Sequence, residues 1–378
     1  MKLSKLHTIL AILALALVPA ACGDDNEDDW EDNSGSKVEL PRHRMYILNE
    51  GSASSNNAGV AFYAPTSNVA PINDIFFTQN GRRLGDVGQA MIEHNSSVYI
   101  AVSGSNYLVR CNSAMVEMDR VSFANEPDLT GGIRDITAEG EYIYASFYGG
   151  WVVKINARTL DIAGKLNTGG ACLEGITAED GTLYVANAYS MSPNPTTGYN
   201  DYNYLTEIIT VNLRNFTKGQ SITVAQNPNV LLEADDKIFV ISYDYTAEGY
   251  VLQSIDPKRN NTVTRIGYAN YMAEEDGILY LIDSRTNYTT WTTTNNFWSY
   301  DINRGTVRSS SFLQNAPAEL TNSSIYMLAI DDETGDFYVG TTHYNQANGE
   351  MYRFRANGQY LEKFDCGGQN PRAAVFFD

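Results

Sequence analysis

From about residue 40 onward, apolar and polar positions alternate in short runs set apart by turn residues. Residues 98–102 (VYIAV), 142–147 (YIYASF), 182–186 (TLYVA), 237–241 (KIFVI), 278–282 (ILYLI) and 336–340 (DFYVG) are rich in β-branched and aromatic side chains. Most follow a turn pair such as Glu139-Gly140, Asp180-Gly181, Asp276-Gly277 or Thr334-Gly335. A period of two bounded by such turns predicts strands. Beyond the first twenty residues or so, no stretch shows the 3.6-residue apolar period of a helix.

The strands recur as a unit. Aromatic–aliphatic pairs stand at Tyr46-Ile47, Tyr99-Ile100, Tyr144-Ala145, Tyr184-Val185, Phe239-Val240, Tyr280-Leu281 and Tyr338-Val339, spaced by 53, 45, 40, 55, 41 and 58 residues. A recurrence of roughly 40–50 residues built from strands alone predicts an all-β fold, a seven-bladed β-propeller. The chain from Met45 reads as a second strand without its first, and the stretch from Pro371 reads as a first strand without its second. Joining them closes the ring, with the N- and C-terminal strands sharing one blade and no sheet edge left open. Eight blades are the alternative; the count of second strands favours seven.

Ahead of this domain, expected at 40–378, come two other segments. Residues 1–21 carry Lys2 and Lys5, then an uncharged stretch from Ile9 to Ala21 that is too short to span a bilayer, then Cys22. The pattern is similar to a bacterial lipoprotein signal with Cys22 as the lipidated residue, although Pro19 stands where that signal usually has Leu. A plain secretory signal with an incidental cysteine is the alternative. Residues 22–39, with seven acids between Asp24 and Asp32, are expected to form a solvated tether. An acidic run after a lipidated cysteine resembles the signal that sends Bacteroidetes lipoproteins to the outer cell surface; the alternative is a simple spacer.

Loss of residues 1–21 removes Lys2 and Lys5 and takes the formal charge from −19 to −21, and setting aside the seven tether acids leaves −14 on the folded part. So acidic a surface argues against nucleic acid and anionic headgroups as partners, leaving the lipid anchor as the membrane contact. Cys111, Cys172 and Cys366 are far apart and lack metal-ligand spacing, so they predict neither a disulfide framework nor a metal site. One disulfide among them stays open.

In a propeller, the second-to-third-strand loops and the loops entering each first strand share one face. The expected ligand-binding residues lie there: Asn49, Glu50, Asn106, Tyr107, Tyr148, Trp151, Tyr189, Tyr202, Tyr243, Tyr245, Arg285, Trp291, His343 and Tyr344, with Arg372 from an entry loop. Entry loops also bring Arg82, Arg83, Gln89, Arg134, Glu174, Asn229, Asn270, Glu319 and Gln369. Asp86, Gln89 and Arg134 are alternatively bridges between neighbouring blades. Tyrosine and tryptophan offer a flat apolar face with a polar tip, and asparagine both donates and accepts. That mixture suits a large, weakly charged ligand rich in amides or hydroxyls, such as a sugar or a corrinoid. Packing between blades is the plainer account of many of the 25 tyrosines.

Signals for catalysis are few. Outside the first segment the histidines are His43, His94 and His343, in unrelated contexts, and no Gly-x-Ser-x-Gly, HExxH or phosphate-loop motif occurs. The acidic run from Asp331 to Asp336 lacks calcium-loop spacing and reads as a hairpin turn. No catalytic residue, metal or cofactor is expected, with a hidden lyase or glycosidase pair as the alternative.

Several strings together resemble a known family. They are Asn49-Glu50-Gly51, then Asn80-Gly81-x-x-Leu84-Gly85-Asp86-Val87-x-Gln89-x-Met91, Gly335-x-x-Tyr338-Val339, Gly349-x-Met351-Tyr352-Arg353-Phe354, and Gly358 to Phe364 followed by Gly368 and Pro371. They resemble the YncE-like, surface-layer-type β-propeller lipoproteins of Bacteroidetes, which include the BtuG-type cell-surface vitamin B12-binding propellers. The resemblance implies a seven-bladed ring, lipid-anchored on the outer membrane at the cell surface. It also implies capture of a ligand, cobalamin first, for delivery to a TonB-dependent outer-membrane transporter. A glycan-binding or protein-docking propeller of a surface uptake complex is the second reading.

Overall fold

Successive side chains of a strand point to opposite faces of its sheet, and this explains the recurring pairs. The computed structural model describes residues 31–378; the expected signal, Cys22 and the acids up to Asp29 lie outside the described residues. Among the described residues, seven small antiparallel sheets stand in a ring. Blade 1 joins Pro371–Phe377, Arg44–Asn49 and Gly59–Tyr63, and blades 2 to 7 are four-stranded, at 88–122, 133–167, 172–223, 228–268, 271–309 and 325–365. The chain is a seven-bladed β-propeller.

Each pair sits on a second strand, wedged between two neighbours. Tyr46 packs into the core shared by blades 1 and 2, while Ile47 packs into the core shared by blades 7 and 1. Tyr99 and Ile100, Tyr144 and Ala145, Tyr184 and Val185, Phe239 and Val240, Tyr280 and Leu281, and Tyr338 and Val339 repeat the arrangement. In all seven, the aromatic faces the following blade and the aliphatic faces the preceding one. The hydrophobic cores of the molecule are therefore the seams between its blades.

Closure follows the expected route. Pro371–Phe377 pairs antiparallel with Arg44–Asn49, so the last strand is the inner strand of the blade that opens the ring. This blade has three strands; in place of an outer strand, Phe62 and Ile72 exchange backbone hydrogen bonds of 2.8 and 3.0 Å. A short helix, Ile75–Asn80, follows, with Asp74 accepting from the Phe77 amide at its start. Among the described residues no helix is long and apolar enough to cross a membrane.

Residues 31–39 differ from the solvated tether expected of them. The buried Arg44 guanidinium donates to Glu31 at 2.8 Å, the Asn112 amide donates to the Ser34 carbonyl, and the Lys37 amide donates to Gln79. A buried arginine needs a carboxylate partner, and Glu31 supplies it. These contacts lie at the end of the ring where inner strands turn into second strands, called the lower face below. The loops between second and third strands form the opposite, upper face. Cys111, Cys172 and Cys366 are buried free thiols.

Candidate functional site

The axis of the ring opens upward through residues that sit in one repeated irregularity. Where an inner strand reaches the upper face, one extra residue usually interrupts its pairing with the second strand. The unpaired residue is Gln89 in blade 2, Arg134 in blade 3, Asn229 in blade 5, Tyr326 in blade 7 and Arg372 in blade 1. In blade 4 the interruption spans Glu174 and Gly175. A β-bulge bends its strand and re-aims a side chain; here each one turns a polar group into the axial opening. Blade 6 pairs without a shift and contributes Asn270, just before its inner strand. These residues line a central cavity of about 270 Å³. The cavity wall is tight: a Cβ on Gly175 would lie 2.7 Å from the Asn229 carbonyl oxygen.

The charges of this ring are paired within it. Arg372 donates to Glu50 at 3.0 Å and to the Gln89 carbonyl at 2.6 Å, and the Tyr326 hydroxyl donates to the same Glu50 oxygen at 2.7 Å. Across the opening, Arg134 donates twice to Glu174, at 3.0 and 2.8 Å, and to Gln89 at 3.2 Å. The Tyr148 hydroxyl donates to the other Glu174 oxygen at 2.6 Å. Burial raises the Tyr148 hydroxyl above its ordinary range, and the neighbouring Glu174 charge adds to the effect. Asp135 has no arginine contact of this kind; it accepts from the amides of Ile136 and Ile176, and burial pushes its carboxyl up to about 6. A raised carboxyl in a cavity is the sort of group catalysis uses, yet its bonds are to backbone and, among the described residues, no histidine lines the cavity.

Around the opening runs an arc of tyrosines drawn from three blades. Tyr148 of blade 3 lies 6.1 Å from Tyr189 of blade 4, ring to ring, and their hydroxyls are 2.7 Å apart. Tyr189 is followed by Tyr204 at 6.4 Å, Tyr245 of blade 5 at 5.4 Å, Tyr250 at 6.0 Å, and Tyr243, stacked on Tyr250, at 4.3 Å. Tyr202 branches from Tyr189 at 5.6 Å. The long strands of blade 4, Thr182–Pro193 and Asn200–Asn212, carry the arc above the rim as an extended hairpin. A second cavity of about 310 Å³ adjoins it, lined by Tyr245, Tyr250, Arg285, Tyr288 and Tyr344. The two cavities meet at Asn270 and Tyr271.

The expected site residues thus fall into distinct places. Tyr148, Tyr189, Tyr202, Tyr243 and Tyr245 share the arc, Arg285 and Tyr344 line the adjoining cavity, and Glu50 with Arg372 belong to the axial ring. Trp291 stands exposed at a hairpin tip with its ring 5.9 Å from Tyr288, and His343 is exposed on the rim with Nε2 3.9 Å from Glu350. Four others do not join them. Asn49 is buried, its amide donating to the Cys366 carbonyl at 2.8 Å. Asn106 is buried, donating to the Leu129 carbonyl at 2.8 Å and accepting from the Ile133 amide at 3.2 Å. Tyr107 is buried beneath Arg120 with its hydroxyl on the Leu84 carbonyl. Trp151 packs on the core between blades 2 and 3. These amides and rings already have partners in the fold, which is why they are absent from the open surface.

The expected inter-blade roles of Asp86 and Arg134 are both seen. Asp86 accepts from the Ser54 and Asn56 amides, tying the blade 1 loop to blade 2. Tyr326, Tyr250, Tyr271 and Asp135 also belong to the site and were not singled out from the sequence. Tyr326 stands one place before the apolar run of its inner strand, as Gln89 and Arg372 do, and that offset would have found it.

No protein-family model matches the chain, and no curated protein matches it in sequence. A quinonprotein alcohol dehydrogenase-like protein from Bacteroides thetaiotaomicron is similar over 89% of this chain and 78% of its own, at 15% identity and a TM-score of 0.62. Hydrazine synthase from Kuenenia stuttgartiensis is similar over 70% of this chain and 74% of its own, at 12% identity and a TM-score of 0.51. The Pan2 WD40 domain of Neurospora crassa is similar over 72% and 78%, at 9% identity and a TM-score of 0.50. At such identities the likeness is one of fold. The names of these proteins point to unrelated activities, so function has to be argued from this chain's own residues.

Proposed function

We propose that this protein captures a large, weakly charged ligand across the tyrosine arc of its upper face and does no chemistry on it. The observation that carries this is the arc itself. Six ring-to-ring neighbours from three blades, with Tyr204 and Tyr245 exposed, form one aromatic surface where a soluble fold gains nothing by having it. The paired charges of the axial ring favour a ligand without a strong net charge. A ligand as large as a corrinoid would lie across the rim, with the central cavity too small to admit it.

Cobalamin is the first candidate, through the resemblance to the BtuG-type propellers, and a TonB-dependent transporter would then receive it. An anchor at Cys22 suits this reading, because residues 31–39 meet the ring on the lower face and leave the upper face clear. A glycan is the second candidate. It is favoured by the shape of the arc, which is a curved track along which successive sugar rings could stack. Isothermal titration of the purified protein with cyanocobalamin and with a panel of oligosaccharides separates the two. Binding of one class, weakened roughly thirtyfold by Tyr204→Ala with Tyr245→Ala, is the expected result. Equal affinity of wild type and double variant would remove the arc from the site.

A further inference from the structure

On the lower face, the hairpins joining inner to second strands close over two residues in blades 2 to 6, for example Asn95 and Ser96, or Asp276 and Gly277. Blade 7 departs from this: Ile325–Ile330 and Phe337–Thr341 are joined by six residues, Asp331 to Asp336. Blade 1 has no such hairpin, since its inner strand ends at Phe377 and its second strand begins at Arg44. The wide loop of blade 7 stands beside this covalent gap. There, one oxygen each of Asp331, Asp332 and Asp378 lie within 4.8 Å of one another, and His43, Glu333 and Asp378 form a second such group.

Crowded acids on a surface are common and would mean little alone. Asp331, however, is fully buried, and the two halves of its carboxylate differ. Oδ2 accepts from His43 Nε2 at 2.8 Å and from the Thr334 hydroxyl at 2.7 Å, whereas Oδ1 is buried with no hydrogen-bond partner. Among the described residues no lysine or arginine forms an ion pair with Asp331, Asp332, Glu333 or Asp378. A buried carboxylate oxygen with no partner is costly, and the cost grows with each neighbouring negative charge. A bound cation removes both terms together.

We infer that the junction of blades 7 and 1 is a divalent-cation site of calcium type, held by Asp331, Asp332 and Asp378, that fastens the ring where its termini meet. All three ligands are hard oxygen donors, Asp331 and Asp332 from the blade 7 loop and Asp378 just past the last strand, which suits calcium's preference for several carboxylate and water oxygens in flexible geometry. His43 already gives its Nε2 to Asp331, so it orients a ligand in the way outer partners of metal sites do. The cation would tie the end of the last strand to the neighbouring blade at the one place where the hairpin of the other blades is missing.

The test is thermal unfolding of the chelated protein with added calcium, magnesium or zinc, together with calcium titration calorimetry. Calcium at a hundred-fold excess over its dissociation constant should raise Tm by roughly 3–5 °C with one ion bound. Asp332→Asn with Asp378→Asn changes two exposed groups, so this variant keeps its fold. It should lose the calcium shift and, in chelator, unfold above the wild type because repulsion is relieved. Asp331→Asn should lose the shift as well. An unchanged wild-type Tm in calcium overturns the inference, as does a full shift in the double variant or a response to zinc alone.

Discussion

Blades 1 and 2 and blades 4 and 5 offer the same kind of loop to the same face, and the loops do different work. In the first pair, polar side chains close on the scaffold. Asn49 and Asn106 hold backbone groups inside, Asn57 and Ser52 both donate to Gln369 at 3.0 and 2.7 Å, and Asp86 holds two loop amides. In the second pair, Tyr189, Tyr204 and Tyr245 meet mainly one another and the solvent. The upper loops of blades 1 and 2 carry few aromatics and those of blades 4 and 5 many tyrosines; position relative to the strand end differs as well. Asn49 ends its strand and Asn106 sits in a left-handed turn at φ 51°, where backbone groups lack ladder partners. Tyr204 rides on a strand that has run past the edge of its sheet.

The strongest way to break this comparison is Asn106→Ala. It leaves the buried Ile133 amide without its side-chain acceptor, leaves the Leu129 carbonyl with the long 3.4 Å contact from the Gly132 amide, and puts alanine at a positive φ. Denaturant unfolding should show a loss of about 2–4 kcal/mol. Ligand affinity, measured where the variant is still folded, should stay within twofold of wild type. A stable variant that binds poorly would move blade 2 into the binding half.

Asp135 tests which half the axial ring belongs to. Its carboxyl is raised from 3.8 to about 6, so the folded protein takes up this proton before the unfolded chain does. The group therefore adds stability as pH falls through about 6 toward 4, and that contribution is lost as pH rises again. The difference in stability between wild type and Asp135→Asn should change by up to about 3 kcal/mol across this window and stay flat above pH 7. Affinity at the arc should not follow the same curve. If binding titrates together with stability, the axial ring is part of the ligand site.

How much of this was legible beforehand varies by level. The ring was readable because Tyr46-Ile47 and its six counterparts must satisfy two neighbours at once, which writes one aromatic and one aliphatic into every second strand. Closure was readable from Pro371 and Met45 for the same reason. The arc was half readable: aromatic loops flagged Tyr148, Tyr189 and Tyr245, but nothing local separates them from Tyr107, whose ring turns inward under Arg120. The interruption at Glu174 and Gly175 follows from register between strands, a property of two segments that no single window contains. The grouping of His43, Asp331 and Asp378 is still less visible, since ring closure alone brings them together.

Within the binding half, Tyr204→Ala with Tyr245→Ala should weaken binding by about 2 kcal/mol, roughly thirtyfold. Stability should change by no more than about 0.5 kcal/mol, because the rings lie outside the seams between blades. Titration calorimetry and thermal unfolding on the same samples give both numbers. A large loss of stability would mean that the arc supports the blade 4 hairpin and that its role is structural.

Trp291 marks where the arc should end. It is 77% exposed at the tip of the blade 6 hairpin, its backbone is in the left-handed region at φ 55°, and its ring contact is Tyr288. A side chain so placed has little packing to lose, and it stands beyond the line of Tyr189, Tyr204 and Tyr245. Trp291→Asn keeps a residue that tolerates positive φ, so it removes the ring without straining the turn. Stability should then stay within about 0.5 kcal/mol and affinity within about twofold. A tenfold loss of affinity would extend the contact surface across Tyr288 to blade 6, and a ligand reaching that far would have to span both cavities at once.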